Sequence, residues 1–302
     1  MAHKQTSTLC ILGCGNLGGA ILKSLLHGST DEQNAIPFTR FIACVRSQES
    51  EDRLTAQFID DPHVVVSRDA KQAVDESDVV VLAVDPSVVP TVLGDLRNAL
   101  RGKFLISVVA GWTRSQLEMA LFDNLTTSTD RASRVWVART LPNIAASVSQ
   151  SCTAIEIPEI SEPQLPPHYR QLTDTIFNQI GQTVHIPPSL MDAATVVAGS
   201  TPAFFAVIVD AMIDAAVAVG VPRDLARQMT VQAMQGSATL LQMGMHPAQL
   251  RDQGTSPEGC TIGGLMVLEE AGVRGHVGRA VREAVTIARL IDGTSHVNDT
   301  RQ

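Results

Sequence analysis

The sequence has few charged residues and no long uninterrupted apolar run, and each shortage excludes a class of protein. Only 18% of its 302 residues are charged and 44% are hydrophobic, a balance typical of globular chains rather than disordered ones. The longest apolar-rich tract, 193–220, is broken by Ser200, Pro202, Asp210 and Asp214, so we expect no membrane span. The length fits about two domains.

Cysteines are also few: five, scattered, and never spaced Cys-x-x-Cys, which predicts neither a disulfide scaffold nor a zinc site. The 23 basic residues against 31 acidic ones give a formal net charge of −8, which argues against nucleic acid or an anionic membrane as a partner. Residues 1–8 are polar and lack the pattern of an export signal. We therefore expect a cytoplasmic protein without a metal site.

Short β-branched runs alternate with helical segments from residue 9 to about residue 138, the pattern of a parallel sheet with helices on both faces. Most runs are continuously apolar, as buried parallel strands are. The predicted strands are 9–12, 41–45, 64–66, 79–84, 104–109 and 135–137, with a first helix at 17–26. The runs 152–157 and 183–186 extend the sheet around a helix at 169–179.

After Pro187-Pro188 the composition changes to segments rich in Ala, Met and Leu with helical spacing, notably 203–219, 224–243 and 273–291. The predicted fold class is therefore an α/β doubly wound sheet at residues 1–186 followed by an all-α domain at 187–302. Asp210 and Asp214 lie four residues apart on one helical face, which indicates a solvated or paired edge.

A glycine-rich turn joins the first predicted strand to the first helix. Residues 13–18 read Gly-Cys-Gly-Asn-Leu-Gly, which is the Gly-x-Gly-x-x-Gly pattern in the strand–turn–helix context of a dinucleotide site. The first glycine permits the tight turn, the second lets backbone approach a pyrophosphate, and the third allows close helix packing. Free amides at the helix start attract phosphate. The predicted cofactor contacts are Gly13, Gly15, Asn16, Leu17 and Gly18.

The second predicted strand ends in Cys44-Val45-Arg46-Ser47, where an NAD-specific site would offer Asp or Glu to the ribose hydroxyls. The forked guanidinium of Arg46 and the hydroxyl of Ser47 suit a 2′-phosphate instead. We therefore expect NADPH as the cofactor, with NADH as the alternative. A merely exposed arginine is the competing interpretation of Arg46.

Later strands end in small or polar residues, at the edge where an open parallel sheet binds its ligand. Small side chains there leave room for a flat nicotinamide ring. The amide of Asn143 follows the sixth strand and is placed to reach the same crevice, although Pro142-Asn143 also fits a plain turn. The further predicted cofactor contacts are Ala83, Val84, Asp85, Pro86, Ala110, Gly111 and Asn143.

A loop between two helices of the second domain, within residues 250–264, carries the candidate substrate site. Ser256 is predicted to cap a helix with Pro257 at its first position, which leaves unpaired amides as an anion site. Thr261 follows less than two helical turns later, and its hydroxyl is predicted to contact the part of the ligand next to the bound anionic group. A capped structural helix without a ligand is the alternative.

Over nearly its full length the chain resembles the pyrroline-5-carboxylate reductase family. The likeness rests on the turn at 13–18, on Pro142-Asn143, on 199–203, on 220–223, and above all on 251–262. The resemblance implies a Rossmann-type domain followed by an all-α dimerisation domain, a homodimer or larger assembly, and NAD(P)H across the carboxyl edge of the sheet.

The resemblance also implies a cyclic imino acid held between the nicotinamide and the 256–261 segment of a partner chain, so that two chains share each active site. Ser256 and Thr261 are the implied catalytic residues. The implied substrate contacts are Ser256, Pro257, Glu258, Gly259, Cys260, Thr261 and Ser200.

The chain departs from the family pattern at positions that leave the exact imine open. Asp85 and Ser87 replace a lysine and a glutamine after the fourth strand, so a cation near the cofactor has become an anion. Glu258 and Cys260 stand where the family has Gly and Thr or Ala.

The resemblance implies hydride transfer from NADPH to the C=N carbon of 1-pyrroline-5-carboxylate, which gives L-proline, and the residues above fit that reaction. A protonated imine is already electrophilic, so the reaction needs no strong protein acid. Two alternatives stay open: a reductase of a modified pyrroline carboxylate or other cyclic imine in secondary metabolism, and a non-catalytic NADP-binding regulatory protein. A 3-hydroxyacid dehydrogenase is not supported, because residues 187–302 contain no lysine.

Overall fold

The computed structural model describes residues 8–26, 36–121 and 134–290. Its strands are β1 (Thr8–Leu12), β2 (Arg40–Cys44), β3 (Val64–Ser67), β4 (Val79–Leu82), β5 (Phe104–Ser107), β6 (Trp136–Leu141), β7 (Ser151–Glu156) and β8 (Gly181–Ile186). The helices of the first part are α1 (Asn16–Leu26), α2 (Gln48–Gln57), α3 (Ala70–Asp75), α4 (Val89–Leu96), α5 (Arg114–Leu121), α6 (Pro167–Asn178) and α7 (Met191–Ala194).

These strands form one eight-stranded sheet in the order β3-β2-β1-β4-β5-β6-β7-β8. Strands β1 to β6 pair in parallel, β7 pairs antiparallel with β6, and β8 pairs in parallel with β7. The order reverses between β1 and β4, which is where a doubly wound sheet opens a crevice for its ligand. The predicted Rossmann-type class is confirmed.

Helices cover both faces of this sheet, and alternate strand residues face opposite sides. In β1, Leu9 and Ile11 pack in a core with α1 and α6, whereas Cys10 and Leu12 pack in a second core with α3, α4 and α5. Phe104 and Val80 are fully buried. Burial on both faces explains why the central strands read as unbroken apolar runs.

Some strand ends differ from the sequence prediction. β4 stops at Leu82 rather than Val84, and β6 continues to Leu141 rather than ending at 137. Thr140 and Leu141 stay extended because they pair with Ile155 and Ala154 of β7. That pairing is a long-range contact, so the local pattern around the sixth strand carries no sign of it.

The chain forms two compact units. Within the described residues the first comprises 8–200 with 285–290, and the second comprises 201–284. The domain boundary predicted between 186 and 187 stays a prediction; the compact units divide between residues 200 and 201. The second unit is helical as predicted. Its helices are α8 (Thr201–Ala218), α9 (Arg223–Gln242), α10 (Pro247–Gln253), α11 (Cys260–Glu270) and α12 (Val273–Leu290). The last residues of α12, 285–290, belong to the first unit.

The second unit leaves much apolar surface uncovered. Only Ile213 is buried in α8, and no residue of α11 is buried. Val207, Val219 and Met266 are 72%, 82% and 68% exposed. Asp214 forms an ion pair of 2.7 Å with Arg223, so the predicted paired edge is confirmed for that residue.

One helical stretch of the described chain, Pro188–Ala218, is long and apolar enough to cross a membrane by length and composition alone. Those two criteria do not separate a membrane span from an apolar helix that another protein surface buries. The absence of a span therefore stays a prediction.

We predict that Gly181→Ala destabilises the first unit. Gly181 has φ +149°, and a Cβ atom there would overlap the backbone nitrogen and carbonyl oxygen of Ser151 across the β7–β8 pair. We expect the free energy of unfolding to fall by about 1–3 kcal/mol, measured by urea titration. The control is Gly94→Ala at an exposed position of helix α4, where a Cβ meets nothing within 4 Å; it should be neutral or stabilise by about 0.5–1 kcal/mol. Equal effects of the two variants would refute this account.

Candidate active site

The turn between β1 and α1 is held close to the next strand of the sheet. Gly13 has φ +94°, and its amide and that of Cys14 donate to the carbonyl oxygen of Cys44 at 3.0 and 2.8 Å. A Cβ at Gly13 would lie 2.7 Å from the carbonyl carbon and oxygen of Ala83. Only glycine satisfies both the backbone angle and the spacing.

The two other glycines of the turn have different surroundings. A Cβ at Gly18 would lie 2.7 Å from the carbonyl oxygen of Gly13, so Gly18 lets the helix pack onto the turn. A Cβ at Gly15 would meet nothing within 4 Å, so open space lies over this residue. Helix α1 begins at Asn16, and the amides of its first turn have no acceptor inside the helix. The cradle fits a pyrophosphate.

A crevice of about 410 Å³ opens from this turn along the carboxyl ends of β1, β2 and β4. It contains seven of the predicted cofactor residues: Gly13, Gly15, Arg46, Ser47, Ala83, Val84 and Asp85. Asn16, Leu17 and Gly18 lie at the start of α1, next to the turn. The residues that the sequence predicted to contact the phosphates of the cofactor therefore lie in or beside one crevice.

Arg68 lies in the same crevice and was missed by the sequence analysis. It follows β3 directly, so it reaches the carboxyl edge one strand away from Arg46. Its Nη1 donates to Gln48 Oε1 at 2.6 Å and lies 3.9 Å from Glu51 Oε2. The parallel third strand ending in Ser67-Arg68 is the signal that could have found it. Two guanidinium groups thus line the end of the crevice where β2 and β3 finish.

Asp85 also lies in the crevice, but its charge is engaged within its own turn. Its Oδ1 accepts the amide hydrogen of Ser87 at 2.9 Å and caps a short 3₁₀ turn at Pro86–Val88. Hydrogen bonds from Ser87, and more weakly the charge of Arg46, lower the pKa of Asp85. The two departures from the family pattern, Asp85 and Ser87, are thus coupled, because Ser87 donates hydrogen bonds to the Asp85 carboxylate.

Two cysteines form part of the crevice wall. Burial raises the pKa of Cys14 to about 12 and that of Cys44 to about 11. Both thiols are therefore neutral near pH 7 and place no negative charge beside a phosphate.

The remaining predicted cofactor residues, Pro86, Ala110, Gly111 and Asn143, belong to the first unit but are not among the residues that line this crevice. Asn143 is buried; its Nδ2 donates to the carbonyl oxygen of Ala198 at 2.9 Å, and its Oδ1 accepts from the Ala145 amide at 3.0 Å. Ala198 belongs to a π-helical segment, Thr195–Ser200, that ends at the predicted substrate residue Ser200. Asn143 thus holds the turn after β6 to the segment that carries Ser200. Their predicted ligand contacts stay predictions.

Gly111, which follows β5 with φ +77°, lines a separate cavity of about 230 Å³ that contains an ionic cluster. Arg139 Nη1 lies 3.1 Å from Glu156 Oε2, and Arg114 contacts both Glu156 and Glu162. Burial raises the pKa of Glu156, and the two guanidinium groups oppose that shift. Ala110 packs nearby against Leu141, Ala154 and Met191, and the carbonyl oxygen of Pro86 accepts from Trp112 Nε1 at 3.0 Å.

In the second unit the predicted helix start at Pro257 is wrong. Residues 256–259 form a turn in which the Gly259 amide donates to the Ser256 carbonyl oxygen at 3.0 Å, and Glu258 has φ +61°. Helix α11 begins at Cys260 with Gly259 as its N-cap and no side-chain cap. Proline followed by a residue with positive φ is the type II turn pattern, and it competes with helix initiation.

The shift moves the candidate anion site without removing it. Thr261 is now the second residue of α11, within the first turn, and its amide lies among the unpaired ones. Ser256 Oγ packs over Gly259, where a Cβ would lie 2.5 Å away. Pro257, Glu258, Cys260 and Thr261 are exposed in this chain by itself. An exposed helix N-terminus with a hydroxyl in its first turn is suited to hold a carboxylate.

Comparison with known proteins decides the family. A family model for NADP oxidoreductase, coenzyme F420-dependent, matches residues 8–111, and one for pyrroline-5-carboxylate reductase dimerisation matches residues 188–291. A pyrroline-5-carboxylate reductase of Lophium arboricola is 40% identical over 97% of this chain and 96% of its own length. The chain belongs to the pyrroline-5-carboxylate reductase family. A second family member, from Neurospora crassa, is 37% identical over 97% of this chain and 96% of its own length.

The fold agrees with solved structures of this family. A Plasmodium falciparum pyrroline carboxylate reductase with NADP bound superposes with a TM-score of 0.77 at 22% identity, covering 96% of this chain and 99% of that one. As the family model over 188–291 indicates, this reductase-family chain carries a dimerisation domain and forms homo-oligomers.

We predict that Arg68 and Arg46 together set the preference for NADPH. Arg68→Gln and Arg46→Gln should each lower kcat/KM for NADPH by about 10–100-fold, because each loses a charged hydrogen bond to the 2′-phosphate. Values for NADH, which lacks that phosphate, should stay unchanged in steady-state assays. Arg101→Gln, an exposed arginine outside the crevice, is the control. An equal loss with both coenzymes would contradict a role in phosphate selection.

Proposed function

We propose that this chain reduces 1-pyrroline-5-carboxylate to L-proline with NADPH. The observation that carries the proposal is the pairing of two complementary sites on one family member: a glycine-walled crevice with two arginines, and an exposed helix N-terminus that carries Thr261. The first suits a dinucleotide phosphate and the second a small carboxylate. The relatives named pyrroline-5-carboxylate reductase support the same reaction.

The crevice residues fit the cofactor. Open space over Gly15 admits the pyrophosphate, and Arg46 with Arg68 suits the 2′-phosphate. When bound, the nicotinamide supplies a hydride to the C=N carbon; the ring nitrogen keeps its proton, and the products are proline and NADP⁺. NADPH is therefore the proposed coenzyme, with NADH as the weaker alternative.

The 256–261 turn orients the imino acid. The unpaired amides at the start of α11 hold its carboxylate, and the Thr261 hydroxyl hydrogen-bonds the ring nitrogen. Holding the C=N carbon of the imino acid about 3–3.5 Å from the hydride of the nicotinamide makes the reaction between them effectively intramolecular. No proton donor of shifted pKa is required, because the protonated imine is already electrophilic.

We infer that two chains share each active site. Most of the 256–261 turn is exposed in the single chain, no residue of α11 is buried, and Ile262, Met266 and Val267 are 37%, 68% and 63% exposed. Association of second units would cover this apolar surface and bring the turn of one chain to the crevice of its partner.

We place the enzyme in the cytoplasm, without nucleic acid or a membrane as a partner. The buried Cys10, Cys14 and Cys44 are free thiols, and a net charge of −8 repels polyanions. The apolar stretch Pro188–Ala218 belongs, in this proposal, to the helices that association covers.

The decisive test is consumption of NADPH, followed at its absorbance maximum, with 1-pyrroline-5-carboxylate and a panel of substituted pyrroline carboxylates. We expect the unsubstituted imine to have the highest kcat/KM. Preference for a substituted ring would favour the modified-imine alternative, and cofactor binding without turnover of any imine would favour a regulatory protein.

Thr261→Ala should lower kcat by about 10²-fold, the scale of losing a contact that orients the reacting ring, with NADPH affinity unchanged. Thr239→Ala, an exposed helical threonine of α9, is the matched control. Stopped-flow hydride transfer and fluorescence titration of NADPH separate the two quantities. Full activity of Thr261→Ala would remove the hydroxyl from the mechanism.

Met266→Glu should weaken self-association at least about tenfold, because it places an unpaired carboxylate on the surface that association buries. Light scattering coupled to size exclusion measures the mass over a dilution series. Met119→Glu is the control, since Met119 is 67% exposed on helix α5 of the first unit. If both variants keep the same mass at all concentrations, α11 lies outside the interface.

A further inference from the structure

Asn143 uses both ends of its buried carboxamide to bind backbone groups of the first unit. The residue is 9% exposed. Its Oδ1 accepts from the Ala145 amide at 3.0 Å and caps the 3₁₀ segment Ile144–Val148. Its Nδ2 donates to the carbonyl oxygen of Ala198 at 2.9 Å, 55 residues further along the chain. One side chain therefore joins a local cap to a distant helical segment.

The acceptor of this long-range bond is a carbonyl group that lacks its ordinary α-helical donor. Residues 188–218 form one continuous helical stretch. In an α-helix the Ala198 carbonyl would accept from the amide of residue 202, but Pro202 has no N–H group. The stretch is π-helical at Thr195–Ser200, just before this proline. The Asn143 amide thus supplies a donor at the point where the helix cannot.

The turn that carries Asn143 is itself anchored to α1 and to the sheet. Ser24 Oγ of α1 donates to the carbonyl oxygen of Ala146 at 2.7 Å, and Ala146 is fully buried. The backbone amide of Asn143 donates to Ser151 Oγ at 3.0 Å, at the start of β7. The carboxamide therefore extends from a fixed frame, and one of its anchors is the helix that begins at the glycine turn.

We propose that Asn143 is a positioning residue for reduction of the imino acid and that it acts through Ser200. This inference rests on the proposed function, in which Ser200 is a substrate contact. Ser200 ends the π-helical segment two residues after Ala198, so fixing the Ala198 carbonyl fixes the backbone from which Ser200 reaches the ligand. A misplacement of about 1 Å in such a group lowers a rate by up to about 10²-fold.

The test compares Asn143→Ser and Asn143→Asp with the wild-type protein. Both variants keep a side-chain oxygen that caps the 144–148 segment, and both lose the donor to Ala198. We expect kcat/KM for the imino acid to fall at least about tenfold in each, with the Kd of NADPH unchanged. Amide hydrogens of residues 195–200 should exchange faster in both variants, a readout that needs no turnover. Asn178→Ser, at an exposed asparagine of α6, is the matched control and should change none of these values.

A double-mutant cycle tests whether Asn143 acts through Ser200. Ser200→Ala removes the hydroxyl that Asn143 is proposed to place. Asn143→Ser should therefore lower kcat/KM much less in the Ser200→Ala background than in the wild-type background. Equal fold losses in the two backgrounds would overturn the route through Ser200.

Three other results would overturn the proposal. They are wild-type kcat/KM in Asn143→Ser, wild-type hydrogen exchange of residues 195–200 in that variant, and a rise in the Kd of NADPH that matches the loss of kcat/KM. The last result is the one that a direct contact of Asn143 with the cofactor requires. If the wild-type protein turns over no imino acid while exchange of 195–200 still rises in the variants, the proposed function fails and the anchoring of the segment is confirmed.

Discussion

The cofactor side of this protein depends on one close approach between two backbone segments. Gly13 lies so near the carbonyl group of Ala83 that no side chain fits between them, and its amide is fixed to Cys44 at the end of β2. This contact joins the ends of three neighbouring strands. It therefore determines where the first turn of α1 points and where the crevice opens, and the phosphate chemistry follows from that position.

Two guanidinium groups lie at one end of the crevice that this contact opens, and Glu51 lies 3.9 Å from one of them, that of Arg68. Arg46 and Arg68 arrive from adjacent strands, the carboxylate of Asp85 is engaged by Ser87, and burial keeps the thiols of Cys14 and Cys44 neutral. A second ionic cluster, around Glu156, connects β6, β7 and α5 beside Gly111. Buried pairs of this kind fix geometry more than they add stability.

The helical unit follows a different principle, because its apolar residues do not form a core within one chain. Helix α11 has no buried residue although it carries Ile262, Met266 and Val267. A dimerisation domain explains this composition, since its helices are buried only in the assembly. The apolar stretch that resembles a membrane span in length and composition lies partly in the same unit, Thr201–Ala218.

The sequence by itself determined the doubly wound sheet, the glycine turn and the helical second half, because these depend on local periodicity and on backbone angles that only glycine adopts readily. Arg68 lies near Arg46 because β3 and β2 are neighbours in the sheet. Which strands are neighbours is a long-range property, so the sequence pattern alone did not bring the two arginines together. Only the tertiary structure decided that β6 extends to pair with β7 and that α11 begins at Cys260, after a turn in which Glu258 adopts a positive φ. The first depends on a long-range pairing, and the second on a competition between turn and helix that Ser256-Pro257 alone does not resolve, because the pair fits both.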